Sequence, residues 1–187
     1  MKFLKNKPVL RLPVTAFYTG DNGTYVSVLP TTSTTDFIRG MCKELRGADF
    51  ETHTPLNFHV TVMYSKTGMP LKEQQDVWAM LQADQVFTAR PKHVTHWSGA
   101  DGKGFIVMEL DAPELAEIHN FMKTTFDLET SFPDYRAHVT LVEDAYDKKD
   151  VDNMAVQNIV NKLNQMLGTD PQPLTFTGIR MEDLKPD

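Results

Sequence analysis

The chain has 187 residues, of which 41% are hydrophobic and 24% charged, with a formal net charge of −6. That length holds one domain with a full core, needing neither metal nor disulfide for stability. The acidic balance argues against a binder of long nucleic acid, which carries a basic footprint, and leaves open a small anionic ligand in a locally positive pocket. The single cysteine, Cys42, closes no internal disulfide, which fits a reducing compartment. The basic start Met1-Lys2-Phe3-Leu4-Lys5 lacks the apolar run of a signal peptide. No segment approaches the roughly 18 apolar residues of a membrane span. The expectation is a soluble, cytoplasmic protein with no membrane partner.

Residues 1–20 read as a basic N-terminal extension, broken by Pro8 and Pro13, with a short strand at 14–18; residues 21–187 read as the domain. Asp21-Asn22-Gly23 is a turn signal. Residues 24–29 follow as a strand rich in β-branched and aromatic side chains, closed by Pro30. Ser33, Thr34 or Thr35 is expected to cap a helix reaching Arg46 and stopped by Gly47. Phe37, Ile38, Met41 and Leu45 form its inward stripe. A polar loop with His53 and Pro55 leads to the strand around His59.

A second helix is expected at 71–82, with Trp78 in its apolar stripe. Strands at 85–89 and 92–98, separated near Pro91, precede a turn at 99–102 and a strand at 104–110. Pro113 opens a helix to Thr125, with Leu115, Ile118, Phe121 and Met122 inward. A loop with Phe132 and Pro133 then leads to the strand around His138. Residues 154–167 form a late amphipathic helix ending at Gly168, and 174–181 a final strand.

The pieces repeat. Tyr25 and His59 lie 34 positions apart, Phe105 and His138 lie 33 apart, and each interval reads strand, helix, loop, strand. The expected fold is therefore α+β: a single domain of two pseudo-symmetric β-α-β halves whose antiparallel sheet forms a cleft. Each half ends on His-Val-Thr, at His59-Val60-Thr61 and His138-Val139-Thr140. In a strand, residues two apart share a face, so each motif projects an imidazole beside a hydroxyl. The tripeptide alone says little, because His93-Val94-Thr95 and His96-Trp97-Ser98 fit the same pattern. Only His59 and His138 close a strand–helix–strand unit, and His93 is set outside the composite site.

These duplicated motifs, with Thr24-Tyr25-Val26, Val62-Met63-Tyr64-Ser65, Phe132-Pro133-Asp134-Tyr135-Arg136-Ala137 and Glu182, resemble the 2H phosphoesterase superfamily. Within it, the chain is most similar to the phage anti-CBASS hydrolases, which destroy the cyclic oligonucleotide messengers of bacterial immunity. The resemblance covers about residues 24 to 182. It implies a 2H phosphoesterase-like fold, a phosphodiesterase acting in the infected cell's cytoplasm, and cyclic oligonucleotides as small-molecule partners.

Histidine accepts or donates a proton near neutrality, so His59 and His138 are the expected acid and base. Thr61 and Thr140 would hold the non-bridging phosphate oxygens. No cofactor and no metal is called for: a zinc site wants three or four suitably spaced ligands, and His93 and His96 have no obvious partners. The resemblance adds Tyr25, on phosphate or nucleophile, and Glu182, orienting a histidine or binding a base edge; Glu143 is a rival carboxylate. Trp97 would stack a nucleobase or pack in the core. Arg136 would pair a phosphate, or a surface acid such as Asp134. Two alternatives stay open: a 2′,3′-cyclic phosphodiesterase on RNA ends or nucleotide by-products, and a non-catalytic nucleotide sponge.

Overall fold

The computed structural model describes residues 23–43, 45, 54–69, 85–98, 104–130, 134–143 and 154–183. The expected strand at 14–18, the helix at 71–82 with Trp78, the turn at 99–102 and the Phe132-Pro133 loop lie outside the described residues. In chain order the elements are β1 (Thr24–Pro30), α1 (Thr32–Lys43), β2 (Val60–Ser65), β3 (Val86–Ser98) and β4 (Gly104–Asp111). There follow α2 (Pro113–Thr125), β5 (His138–Val142), α3 (Met154–Leu167) and β6 (Leu174–Asp183). Among the described residues no helix is long and apolar enough to cross a membrane.

All strand pairs are antiparallel, and the sheet closes in the order β1-β2-β5-β4-β3-β6. One half contributes β6-β1-β2 and the other β3-β4-β5. β1 and β4 lie central to their halves and each turns an apolar face to the core, with Val26, Val28, Ile106 and Met108 fully buried.

The internal symmetry reaches the level of single residues. Val26, Ser27 and Val28 pair with Met63, Thr61 and Val60, with a register shift between Val26 and Ser27. Ile106, Val107 and Met108 pair with Val142, Thr140 and Val139, with the shift between Ile106 and Val107. Both halves thus carry the same bulge one step past the threonine of the motif. A bulge sharpens twist and re-aims side chains, and here it does so identically on either side of the β2–β5 seam.

Several expectations change. Residues 85–89 and 92–98 form one strand, not two. Val86–Ala89 bond to β6 and Arg90–Ser98 bond to β4, with a register shift between Pro91 and His93. Proline lacks the ladder N–H, and the irregularity at Pro91 absorbs that loss without ending the strand. The partner switch also closes the ring, at a cross-strand pair of fully buried phenylalanines, Phe87 and Phe176.

α1 starts earlier than expected. Its cap is Thr31, whose Oγ1 accepts the Thr34 N–H at 3.4 Å, so none of the three expected capping residues holds that place. α1 is described over Thr32–Lys43, and the expected end at Arg46 and Gly47 lies outside the described residues. Phe37, expected inward, is 40% exposed, while Ile38, Met41, Cys42 and Leu45 are buried. Burial pushes the Cys42 thiol up to about 11, so this cysteine is a core side chain and a poor nucleophile.

Candidate active site

β2 and β5 meet at one register pair, Val60 opposite Val139. Antiparallel pairing about that point sets His59 across from Thr140 and Thr61 across from His138. The four side chains make a two-by-two patch with the histidines at opposite corners. Opposite neighbours in such a patch lie about 4.5–5.5 Å apart at Cβ and diagonal ones about 7–8 Å, so a tetrahedral anion fits between the two imidazoles. Burial first, and to a lesser degree the neighbouring His59 across the patch, lowers the His138 pKa.

Each histidine is oriented by the carbonyl two residues before it. His59 Nδ1 donates to Asn57 O at 3.3 Å, and His138 Nδ1 donates to Arg136 O at 2.8 Å. A carbonyl oxygen only accepts, so Nδ1 carries the hydrogen in both rings. Nε2 is left as the nitrogen available for proton transfer. Burial is the main force on His138 and pushes its pKa below the ordinary imidazole value, which favours the neutral, proton-accepting form.

Thr61 is held at both its hydroxyl and its carbonyl. Tyr25 comes from β1 to bring its hydroxyl 3.3 Å from Thr61 Oγ1, and its ring stands edge-on to His59 at 6.0 Å. Burial raises the Tyr25 phenol above its usual pKa, so it stays protonated and able to donate. From the second half, the Tyr135 hydroxyl donates to Thr61 O at 3.0 Å. The next carbonyl, at the bulged Val62, accepts from His119 Nδ1 at 2.8 Å, and His119 stacks on Tyr135 at 4.5 Å. The bulge takes Val62 out of the β1 ladder, and His119 satisfies the carbonyl so freed. Tyr135 therefore ties the arm of the second motif to the strand of the first.

On the other side Glu109 gathers three side chains. It is 7% exposed and lies across from both His138 and His93. One oxygen accepts from Arg136 in a short ion-paired hydrogen bond and from Trp97 Nε1 at 3.2 Å. His93 Nε2 lies 3.8 Å from the same oxygen. The Arg136 guanidinium sits 4.8 Å over the Trp97 ring, and Trp97 lies 4.4 Å from the His138 ring. The chain Glu109–Trp97–His138 thus walls the second imidazole with a held aromatic ring.

The sequence matches the family described as Anti-CBASS protein Acb1 over residues 22–167, which takes in both histidine motifs. The chain belongs to the Acb1 family. A relative, the anti-CBASS protein Acb1 of Vibrio phage KVP40, is 37% identical over 93 residues, 48% of this chain. The match spans 53% of that relative, about half its length. Among solved structures, Kluyveromyces marxianus Usb1 is similar with a TM-score of 0.52 at 10% identity, over 88% of this chain and 95% of that one. Escherichia coli LigT complexed with 3′-AMP aligns over 88% and 95% of the two chains, with a TM-score of 0.46 and 14% identity. The likeness to Usb1 concerns the fold alone, and it bears out the expected 2H phosphoesterase-like architecture of this Acb1-family chain.

Of the site residues named from this Acb1-family sequence, the structure brings together His59, Thr61, His138, Thr140, Tyr25, Trp97 and Arg136. Arg136 pairs with Glu109 rather than with Asp134. Glu182 stands across from Tyr25 on β6 and is bound by Arg180 at 2.5 Å; among the described residues it has no histidine partner. Glu143 is exposed just past β5. His93, set outside the composite site, reaches its rim through Glu109. Among the described residues no three His, Cys, Asp or Glu side chains group as metal ligands.

Glu109 and His119 were missed. Glu109 is the lone carboxylate within the apolar run Phe105-Ile106-Val107-Met108-Glu109-Leu110, and His119 falls on the buried stripe of α2 with Leu115 and Met122. In each case a polar residue on an apolar face was the available signal.

Proposed function

We propose that this protein is a metal-independent phosphodiesterase that opens cyclic di- or trinucleotide messengers of bacterial immunity, and so serves phage counter-defence. Membership of the Acb1 family supports the biological setting. The observation that carries the chemistry is the Val60–Val139 register, which puts two imidazoles at opposite corners of a patch completed by two hydroxyls.

Displacement at phosphorus needs entering and leaving oxygens roughly in line across the phosphate. Diagonal histidines serve that geometry, one at each end. His138, buried and held neutral, takes the proton of the ribose 2′-hydroxyl beside the scissile phosphate. That oxygen bonds to phosphorus as the P–O5′ bond breaks, and His59 Nε2 gives its proton to the departing 5′-oxygen. The product is a 2′,3′-cyclic phosphate, which water opens with the two histidines exchanging roles. Thr61 and Thr140 donate to the non-bridging oxygens, where charge builds in the transition state. Tyr25 stays protonated and fixes the Thr61 hydroxyl. Trp97, held by Glu109, offers an aromatic face beside the phosphate for a nucleobase, a contact worth about 1–3 kcal/mol.

The test is incubation with cyclic dinucleotides in excess EDTA, followed by separation of products. Opened products support the reading. Intact ligand retained stoichiometrically would indicate a sponge. Turnover of 2′,3′-cyclic mononucleotides alone would indicate the RNA-end enzyme. A substrate whose 2′-hydroxyl is replaced by hydrogen should resist cleavage; an unchanged rate would remove the ribose nucleophile from the mechanism.

A further inference from the structure

Two cavities flank the His-Thr patch, one in each half, and the strand register makes them equivalent places. Val28 stands to Val60 as Met108 stands to Val139. Carried outward, that equivalence sets Leu29, Pro30, Leu56, Asn57 and Phe58 in the positions of Glu109, Leu110, Tyr135, Arg136 and Ala137. The first group lines a cavity of about 380 Å³. The second lines one of about 260 Å³. Each cavity therefore adjoins the residue whose carbonyl orients a motif histidine, Asn57 for His59 and Arg136 for His138.

The two places differ in chemistry. In the second half, Glu109 already engages Arg136 and Trp97, and the Leu110 N–H closes onto Ala137 O at 2.9 Å. In the first half Pro30 replaces Leu110 and has no N–H to give Phe58, so the corresponding edge stays open. Its walls are apolar, from Leu29, Leu56 and Phe58, and Leu56 is 91% exposed. Its charged lining is Arg39 and Arg180, with no acid among the lining residues, and Arg180 is also ion-paired to Glu182 on its own strand. Arg39 projects exposed from α1 and makes no ion pair among the described residues. Arg180 lies across from Ser27, which lies across from Thr61, and its charge reaches the Tyr25 phenol. Arg180 thus lines the cavity and stands in the same cross-strand row as Thr61 of the patch.

An apolar wall beside two guanidiniums suits a nucleotide: the base and ribose cover the apolar side chains while the phosphate pairs with arginine. The volume lies within the usual range of small-molecule sites, about 300–1,000 Å³. The geometry points to a second subsite here, in which Arg39 and Arg180 hold the non-scissile phosphate of the substrate and Leu29, Leu56 and Phe58 carry its nucleoside. This inference rests on the phosphodiesterase reading and sharpens it. A ligand that fills both the patch and this cavity has at least two phosphates joined through a nucleoside, which a cyclic dinucleotide has and a 2′,3′-cyclic mononucleotide lacks.

The experiment compares Arg39→Ala and Leu56→Ala with the wild-type chain on cyclic di-AMP and cyclic GMP-AMP, and in parallel on 2′,3′-cyclic AMP. Both substitutions are on exposed side chains, so the fold survives them. Losing one charge-assisted contact should raise KM for the cyclic dinucleotides by about 10–100-fold for Arg39→Ala. That loss should far exceed any on 2′,3′-cyclic AMP. Equal effects on both substrate classes, or none on either, would overturn the subsite. If wild-type protein turns over neither class, the phosphodiesterase reading fails separately, and equilibrium binding of cyclic di-AMP decides the subsite. Weaker binding by Arg39→Ala then sustains it; equal binding, or no binding by wild type, overturns it.

Discussion

Val60 and Val139 face each other across the β2–β5 seam, both fully buried, and this pair fixes where the two histidines fall. A shift of one residue on either strand would turn that strand's imidazole and hydroxyl to the opposite face. Matching bulges beyond Thr61 and Thr140 sharpen the twist at the same place in both halves.

Tyr135 spans the seam, so Tyr135→Phe tests whether the halves are coupled through Thr61. Loss of its hydroxyl leaves Thr61 O without that donor and should lower stability by about 1–3 kcal/mol. The variant should also reduce kcat, because the strand carrying Thr61 loosens. Chemical denaturation together with steady-state kinetics checks both. Tyr25→Phe should leave stability nearer to wild type and lower kcat about tenfold, the effect of one net hydrogen bond on a barrier.

Glu109→Gln separates positioning from packing. Glu109 raises the His138 pKa and Arg136 lowers it, so neutralising Glu109 should move the acid limb of kcat/KM to lower pH. The Gln amide oxygen still accepts from Trp97 and Arg136, so what is lost is the ion pair with Arg136, and stability should fall by about 1 kcal/mol or less. An acid limb that does not move would remove Glu109 from the electrostatics of the site.

Acid should destabilise the fold in a defined window. His138, His119 and His96 all have pKa values pushed down by burial. The unfolded chain then binds protons below about pH 6.5 that the folded chain refuses. Their contribution is fully present above that pH and is lost as pH falls toward the folded values. Thermal unfolding midpoints should fall between pH 7.5 and 5.5, and His119→Gln should flatten that decline. The same shift predicts a kcat/KM acid limb below the ordinary imidazole value, because His138 works as a base only while neutral.

Much of this was legible in the sequence, and the part that was not has a common cause. The helices at Pro113–Thr125 and Met154–Leu167 matched expectation because proline at the start, glycine beyond the end and a 3.6-residue stripe are local signals. The paired motifs were legible because duplication writes the same pattern twice. Glu109 was not, since its meaning comes from Arg136, Trp97 and His93, which two separate segments bring to it. The continuity of β3 through Pro91 was hidden for the same reason. It depends on β6 and β4 offering ladders on either side, and on the Phe87–Phe176 pair closing the ring.

The central claim is that His59 and His138 act as one acid–base pair, and single-turnover cleavage of a cyclic dinucleotide in EDTA tests it most directly. Wild type, His59→Ala, His138→Ala and the double variant are compared on one time course. The account predicts that each single variant loses at least about 100-fold in rate, and that the double variant is scarcely worse than either, as for groups acting as a unit. Cleavage persisting near the wild-type rate in either single variant would contradict it.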